Sequence, residues 1–295
     1  MSLREQRSDL INRLLQSFFF RNDSKTNKNM KIAIIGTGNL GKSIAKGLIT
    51  TNAITSLYLT RRKLDTIKEF EGYKNVSLTT NNSEAVINSD IIILAVQPAH
   101  LKQILNDIKP LLKENHIIIS TITGFSITQI EEVVGVHNFI IRAMPNTAIA
   151  VGKSMTCLCG NTKGLERIKV AEAVFNRLGT SIVIPESKMQ AATVVCASGI
   201  AFWMRMIRAT TQAAIQLGFD AKEAQELAMH TCDGAANLLI TTGNHPEQEI
   251  DKVTTPKGCT IEGLNEMEHQ GLSSSLIQGM VTSYNKINTI KTEQL

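Results

Sequence analysis

Gly36, Gly38 and Gly41 stand in the run Lys31-Ile32-Ala33-Ile34-Ile35-Gly36-Thr37-Gly38-Asn39-Leu40-Gly41. A strand-forming stretch thus leads directly into G-x-G-x-x-G, and a helical pattern follows. That order has a chemical use. Gly36 permits a tight turn, Gly38 lets the main chain approach a pyrophosphate, and Gly41 lets helix pack close to strand. The helix N-terminus then presents free N–H groups to the diphosphate. About twenty residues further on, a second strand ends in Thr60-Arg61-Arg62. A carboxylate there would bond the ribose 2′-hydroxyl of NAD, whereas a hydroxyl and two guanidiniums suit a 2′-phosphate. Gly36, Thr37, Gly38, Asn39, Leu40, Gly41, Thr60, Arg61 and Arg62 are therefore candidates for holding a nicotinamide dinucleotide. NADPH is the expected form, with NADH serving less well.

A second segment, Val253-Thr254-Thr255-Pro256-Lys257-Gly258-Cys259-Thr260-Ile261-Glu262-Gly263-Leu264, offers hydroxyls at Thr255 and Thr260 and a free backbone at Gly258. A helix beginning near Thr260 would add unpaired N–H groups, a recipe for holding a carboxylate. An ordinary capped helix start accounts for the same residues equally well.

These groups need elements to position them. From Met30 to about residue 185, strands expected at Lys31–Ile35, Ser56–Thr60, Ile91–Val96, Ile117–Thr121, Phe139–Arg142, Met155–Cys159 and Ser181–Ile184 alternate with helical stretches. Ile91-Ile92-Ile93-Leu94 and Ile117-Ile118-Ile119 are apolar on both faces, as a parallel sheet covered by helices requires. The pattern reads as an α/β, Rossmann-type doubly wound sheet over 30–186. Val96-Gln97-Pro98 and Met144-Pro145-Asn146-Thr147 follow two of its strands and should lie on the ligand-binding edge.

After Pro185 the chain reads as wholly helical, an expected second domain over 187–295. Ser187 and Gln190 form a capping-box pattern that opens a helix running to Leu217, before Gly218. Asp220 and Glu223 repeat it for a helix ending near Gly243. A segment over 246–253, a helix over 260–270 and a last helix over 273–290 follow. The stretch Val194–Met204 is apolar all round except Ser198, which calls for more neighbours than one small domain supplies. A second subunit is expected there: an obligate homodimer, with a larger oligomer of dimers open.

Composition narrows the classes. The formal charge is +5 over 295 residues. Arg4, Arg7, Arg13, Arg21, Lys25 and Lys28 outweigh Glu5, Asp9 and Asp23 in the first 29 residues, so the remainder is nearly neutral and no nucleic-acid partner is expected. No unbroken apolar run approaches the roughly 18 residues of a membrane helix, so no membrane association is expected. Residues 1–29 read as a flexible extension without a convincing signal peptide. The cysteines, Cys157, Cys159, Cys196, Cys232 and Cys259, are odd in number and lack CxxC spacing. Reduced thiols suit the cytoplasm, and with unclustered histidines no metal site is expected. Cys157 and Cys159 share one face of a strand and read as packing.

Taken together the residues resemble the pyrroline-5-carboxylate reductase family. The resemblance runs from Met30 to about Lys286. It includes the Gly36–Gly41 loop, Asn82 in Asn-Ser-Glu-Ala-Val, Ala95-Val96-Gln97-Pro98, Met144-Pro145-Asn146-Thr147, Val151-Gly152, Gly218, Gly234-Ala235-Ala236, His245-Pro246 and Thr255–Leu264. It implies reduction of the C=N bond of 1-pyrroline-5-carboxylate to L-proline with NADPH. It also implies that Asn82, Ala95, Val96, Gln97 and Pro98 line the cofactor, beside Met144, Pro145 and Asn146. Thr255, Gly258, Cys259 and Thr260 would hold the substrate, with the Thr260 hydroxyl near the ring nitrogen unless it merely caps a helix. The helical domain would interleave with a partner that completes the site. The chain departs from the pattern in places. The glycine pair after the proline is Lys257-Gly258, and Cys259 precedes the threonine. The run Ser-Gly-Ser-Gly-Pro-Ala is Cys196-Ala197-Ser198-Gly199-Ile200-Ala201, and Ile200 in place of proline predicts a straighter helix. Val-Gly-x-Gly ends in Ser154.

Two other readings share the glycine loop. A β-hydroxyacid dehydrogenase-type enzyme would use a lysine on the long helix, where only Lys188 is available, at its very start. A non-catalytic NADP-sensing protein would need no Thr255–Thr260 segment. His100, beside the Gln97-Pro98 turn, reads as a surface residue.

Overall fold

The computed structural model describes residues 30–51 and 54–293. The expectations for residues 1–29 lie outside the described residues. Eight strands form one sheet: β1 Met30–Ile35, β2 Ile54–Thr60, β3 Val76–Thr79, β4 Ile91–Leu94, β5 Ile117–Ser120, β6 Phe139–Met144, β7 Ser154–Gly160 and β8 Gly179–Val183. Their order is β3-β2-β1-β4-β5-β6-β7-β8. All pairings are parallel except β6 with β7. The order reverses between β1 and β4, which places the crevice of such sheets at the ends of these two strands.

Alternation along each strand builds the two cores. Ile32, Ile34, Ile93, Ile119 and Ile141 face one side, under α1 (Asn39–Thr50) and α6 (Ile168–Phe175). Ala33, Ile35, Ile92, Leu94, Ile118 and Ile140 face the other. There they meet α2 (Asn82–Ile87), α3 (Pro98–Ile108) and α4 (Ile127–Val134). Consecutive isoleucines therefore serve opposite layers, which is why the strands read as unbroken apolar runs. The short α5 (Thr162–Glu166) precedes α6.

The structure corrects the sequence reading in several places. β3 was not expected; it is an edge strand whose Val-Ser-Leu-Thr alternates but, at four residues, is too short to stand out from the flanking polar residues. β6 runs two residues longer than expected, to Met144. The long helix, α7, covers Glu186–Gln216, 31 residues. Its expected Ser187–Gln190 capping box is absent: the helix opens with a 3-10 turn after Pro185, and Gln190 Nε2 donates to the Tyr284 carbonyl at 3.2 Å. Nor is the helix regular. Thr193–Ser198 is a π turn between Met189–Ala192 and the α-helical Gly199–Gln216.

Four helices follow: α8 Ala221–Thr242, α9 Pro246–Val253, α10 Cys259–His269 and α11 Leu272–Glu293. The Asp220–Glu223 capping box forms, and Gly243 closes α8 at φ 67°. α7 meets the sheet layer through Met189 and Ala192. Beyond that junction the helices leave apolar surface open: Trp203 is 58% exposed, Leu217 81%, Ile240 67% and Ile277 58%. An 18-residue window of α7 has a mean hydropathy of 1.3, so by length and composition α7 is apolar enough to cross a membrane. Counting unbroken apolar runs missed this, because scattered polar residues interrupt the run without lowering the average much.

Candidate functional site

The glycine loop joins β1 to α1 at the switch point. Gly36 sits at φ +90°, and a Cβ there would collide with the Val96 side chain and lie 2.9 Å from the Ala95 carbonyl oxygen. Gly41 faces the Gly36 carbonyl, with 2.7 Å to a Cβ. Both positions exclude a side chain because backbone or β4-end atoms occupy the space. Gly38 differs: nothing lies within 4 Å of a Cβ there, so this residue borders open space that a diphosphate could enter. Gly38 caps α1 without any side-chain hydrogen bond, leaving the first N–H groups of the helix for an anion. The donor set fits a dinucleotide.

The end of β2 is tied into the same loop. The Gly36 N–H donates to Thr60 Oγ1 at 3.3 Å, and Thr60 is buried. Arg61 Nη1 donates to the Thr37 carbonyl at 2.7 Å. Arg62 is exposed. The two arginines therefore differ: Arg61 braces the turn and keeps its other donors, while Arg62 reaches freely into solvent. The Thr37 hydroxyl is buried without a hydrogen-bond partner. Asn39 and Leu40 open α1, the first exposed and the second half-buried.

Ala95, Val96 and Gln97 lead from β4 into α3, which Pro98 begins at a position where its missing N–H costs nothing. Asn82 is the first residue of α2; Asn81, not Asn82, caps it, accepting from the Ser83 and Glu84 N–H groups. Met144 and Pro145 are buried at the end of β6. The Asn146 side chain is engaged twice. Its Oδ1 accepts from the Ala148 N–H at 3.0 Å, and its Nδ2 donates to the Cys196 carbonyl in the π turn of α7 at 3.0 Å. Its main chain is engaged as well: the Asn146 N–H donates to Ser154 Oγ at 3.1 Å, and its carbonyl accepts from the Ile149 N–H at 3.2 Å.

The substrate-binding candidates lie in the helical half. The Gly258 N–H donates to the Thr255 carbonyl at 2.9 Å, with Pro256 second in the turn and Lys257 third at φ 59°. Proline followed by a positive φ is the type II pattern, whose third residue is normally glycine. A Cβ on Gly258 would collide with Thr255 Oγ1. Gly258 is the N-cap of α10, with no side-chain cap bond. Thr260 is therefore the second residue inside the helix, and it does not cap it. Thr255, Cys259 and Thr260 are all exposed in the protomer and Gly258 is half-buried, a surface with helical N–H groups and hydroxyls but no enclosing wall.

Two features at the junction of the halves escaped the sequence reading. Arg142, buried on β6, pairs with Glu186 Oε1 at 2.8 Å. The same oxygen accepts from the Ile127 N–H at 2.7 Å. An arginine inside the apolar run Phe139-Ile140-Ile141-Arg142 was the available signal. A cavity of about 260 Å³ adjoins this pair, lined by Thr123, Ser126, Ser187, Gln190 and Thr193 among others. The second feature is a thiol pair: Cys157 Sγ lies 3.8 Å from Cys196 Sγ. His100 and Lys188 are both exposed. Among the described residues no group of three or more His, Cys, Asp or Glu is placed to hold a metal ion.

A parallel sheet with a glycine loop at its switch point, followed by a helical half with open apolar faces, is the architecture of the two-domain dinucleotide-binding oxidoreductases. Residues 31–124 match a family model described as NADP oxidoreductase coenzyme F420-dependent. Residues 186–290 match one described as pyrroline-5-carboxylate reductase dimerisation. The chain belongs to the pyrroline-5-carboxylate reductase family. Pyrroline-5-carboxylate reductase 2 of Dictyostelium discoideum is 41% identical over 281 residues, 90% of this chain and 93% of that protein. Pyrroline-5-carboxylate reductase 1 of the same organism is 45% identical over 279 residues, 89% of this chain, and the chain spans 50% of that relative's length. Among solved structures, Plasmodium falciparum pyrroline carboxylate reductase with NADP bound superposes with a TM-score of 0.80 at 25% identity, covering 90% of this chain and 99% of that one.

Proposed function

We propose that this chain reduces the C=N bond of 1-pyrroline-5-carboxylate to give L-proline, using NADPH. The observation that carries the reading is the pairing of an open glycine cradle at the switch point with the Thr255–Gly258 turn at the start of α10. Generic dinucleotide-binding proteins have the first without the second. A relative of over 40% identity along nine-tenths of both chains supports it.

Bound NADPH supplies the hydride. The protein's part is placement. Gly36, Gly38 and the start of α1 receive the diphosphate, Arg62 and the remaining donors of Arg61 meet the 2′-phosphate, and the β4 end from Ala95 to Pro98, with Asn82 and the main chain of Met144 to Asn146, bounds the nicotinamide half. The N–H groups of Cys259 and Thr260 hold the substrate carboxylate beside the Thr255 hydroxyl. The Thr260 hydroxyl serves the ring nitrogen. A cyclic imine that arrives protonated is already electrophilic, so positioning can supply the needed several kcal/mol without a dedicated acid. The exposed turn is completed by a second subunit, making the active unit a cytoplasmic homodimer and allowing larger assemblies of dimers.

The test is NADPH oxidation with pyrroline-5-carboxylate, beside NADPH oxidation with a ketoacid and NADP+ reduction with a hydroxyacid. Turnover with the imine alone is expected. Turnover with the hydroxyacid or ketoacid alone would overturn the reading.

A further inference from the structure

Cys157 and Cys196 come from different layers. Cys157 lies on β7 and is buried. Cys196 lies in the π turn of α7 and keeps partial exposure. Their sulfurs are 3.8 Å apart, in contact but unbonded. A disulfide of about 2.05 Å would need a shift of less than 2 Å, within reach of side-chain rotation and a small movement of the turn. The π turn sits where the long helix leaves the sheet, so a bond there would join the two halves covalently.

We propose that Cys157 and Cys196 form an oxidation site, at which a peroxide converts the thiol pair to a disulfide that clamps α7 onto β7. Cys196 is the attacking group: at the sheet end of the stretch 194–204, packed against the sheet layer, it is the more exposed of the two within the protomer. Either thiol can donate across this contact; with Cys157 as donor, its S–H lowers the Cys196 pKa against the opposing effect of burial. That direction favours the thiolate, the reactive form. Cys157 is pushed the other way, by that same hydrogen bond and by burial, and stays a thiol until the second step.

The chemistry balances with the peroxide as sole oxidant. The Cys196 thiolate attacks one peroxide oxygen, the O–O bond breaks, and the hydroxide released takes up a proton as water. Cys196 is now a sulfenic acid. The Cys157 sulfur attacks it, the S–O bond breaks, and the hydroxide leaves with the Cys157 proton as a second water. Two sulfurs have given up two electrons and both peroxide oxygens have been reduced.

The experiment treats the reduced full-length protein with hydrogen peroxide, blocks remaining thiols, and analyses the digest without reductant. A peptide pair joining Cys157 to Cys196 is expected, lost on treatment with dithiothreitol. The oxidised protein should also melt at a higher temperature than the reduced one. Cys196→Ser, a near-isosteric change at a half-exposed position, should fold and show neither the pair nor the rise. Cys196 recovered as free thiol or sulfinic acid, while exposed Cys259 is oxidised, would overturn the proposal. So would a cross-link that leaves the melting temperature unchanged, because a clamp across the two halves must restrict the unfolded chain. Neither readout depends on the enzymatic reading.

Discussion

The Asn146 side-chain amide donates to the main-chain carbonyl of Cys196 at 3.0 Å. The two residues stand fifty positions apart, one just beyond the end of β6 and the other inside α7. A π turn disturbs the regular carbonyl ladder of a helix, and here the Cys196 carbonyl takes its partner from outside. The bond anchors the long helix to the edge of the sheet at which the cofactor is proposed to sit. It also explains why α7 is irregular without a proline at position 200: the bulge directs a carbonyl toward Asn146.

Replacing Asn146 by Ala should therefore act first on stability. It removes a cap of the 3-10 turn Thr147–Val151 and leaves the Cys196 carbonyl without this donor, a loss of roughly 2–3 kcal/mol. Asn146→Asp keeps the capping oxygen but sets a carboxylate against a carbonyl, so it should lose at least as much. Urea unfolding of the three proteins at one protein concentration measures this. An Asp variant as stable as wild type would refute the anchoring role.

Arg61 and Arg62 should separate when changed singly. Arg62→Ala should raise the apparent KM for NADPH about tenfold and leave NADH nearly unchanged, as expected for one charge-assisted bond of about 1.5–3 kcal/mol. Arg61→Ala also removes the brace on the Thr37 carbonyl, so it should weaken both cofactors. Steady-state kinetics with each cofactor decide, and equal losses for both in Arg62→Ala would count against the 2′-phosphate assignment.

Thr260→Val should leave thermal stability almost unchanged, because Gly258 and not Thr260 is the N-cap of α10. Turnover should fall more than substrate affinity if the hydroxyl acts in the transition state. A lost hydrogen bond of roughly 1–3 kcal/mol corresponds to about 5- to 150-fold. A fully active variant would remove Thr260 from the mechanism.

Lys257 holds φ 59° at the third place of its turn, a conformation that costs an L-residue roughly 1–2 kcal/mol. Lys257→Gly removes that strain and concedes part of it to the greater freedom of the unfolded glycine. A net gain of up to about 1 kcal/mol is expected in thermal or urea unfolding. A destabilised glycine variant would show that the lysine side chain holds the turn by contacts of its own.

Trp203 and Met204, each 58% exposed on α7, lie within the apolar stretch that the second subunit is proposed to cover. Trp203→Glu would bury an unpaired charge in that contact. Sedimentation at micromolar concentration should show a dimer for wild type and a monomer for the variant, with activity lost in parallel. A dimeric, active Trp203→Glu enzyme would place the contact elsewhere.

Much of the architecture was written in local patterns. Unbroken isoleucine runs specify a two-sided sheet because each strand must satisfy two apolar layers, and Gly36, Gly38 and Gly41 specify a close turn because a Cβ at Gly36 or Gly41 would strike atoms that the fold itself requires there. Asp220 with Glu223, Pro246 and Gly243 mark helix ends through bonds made within a few residues. What the sequence could not disclose involves partners far apart along the chain. The edge strand Val76–Thr79 forms because β2 offers it a ladder, not because its own pattern demands it. Ser187 and Gln190 have capping chemistry, yet Gln190 is drawn to Tyr284 and the helix begins without them. Arg61 looks like a free phosphate ligand until the fold brings the Thr37 carbonyl to it. Asn146 shows no tie to the long helix until the fold brings the Cys196 carbonyl to its side-chain amide. Cys157 reads as packing and Cys196 as an unrelated reduced thiol until β7 and the π turn meet. Hydrogen bonds and thiol contacts act over only a few ångströms, so these assignments were decided by tertiary structure alone.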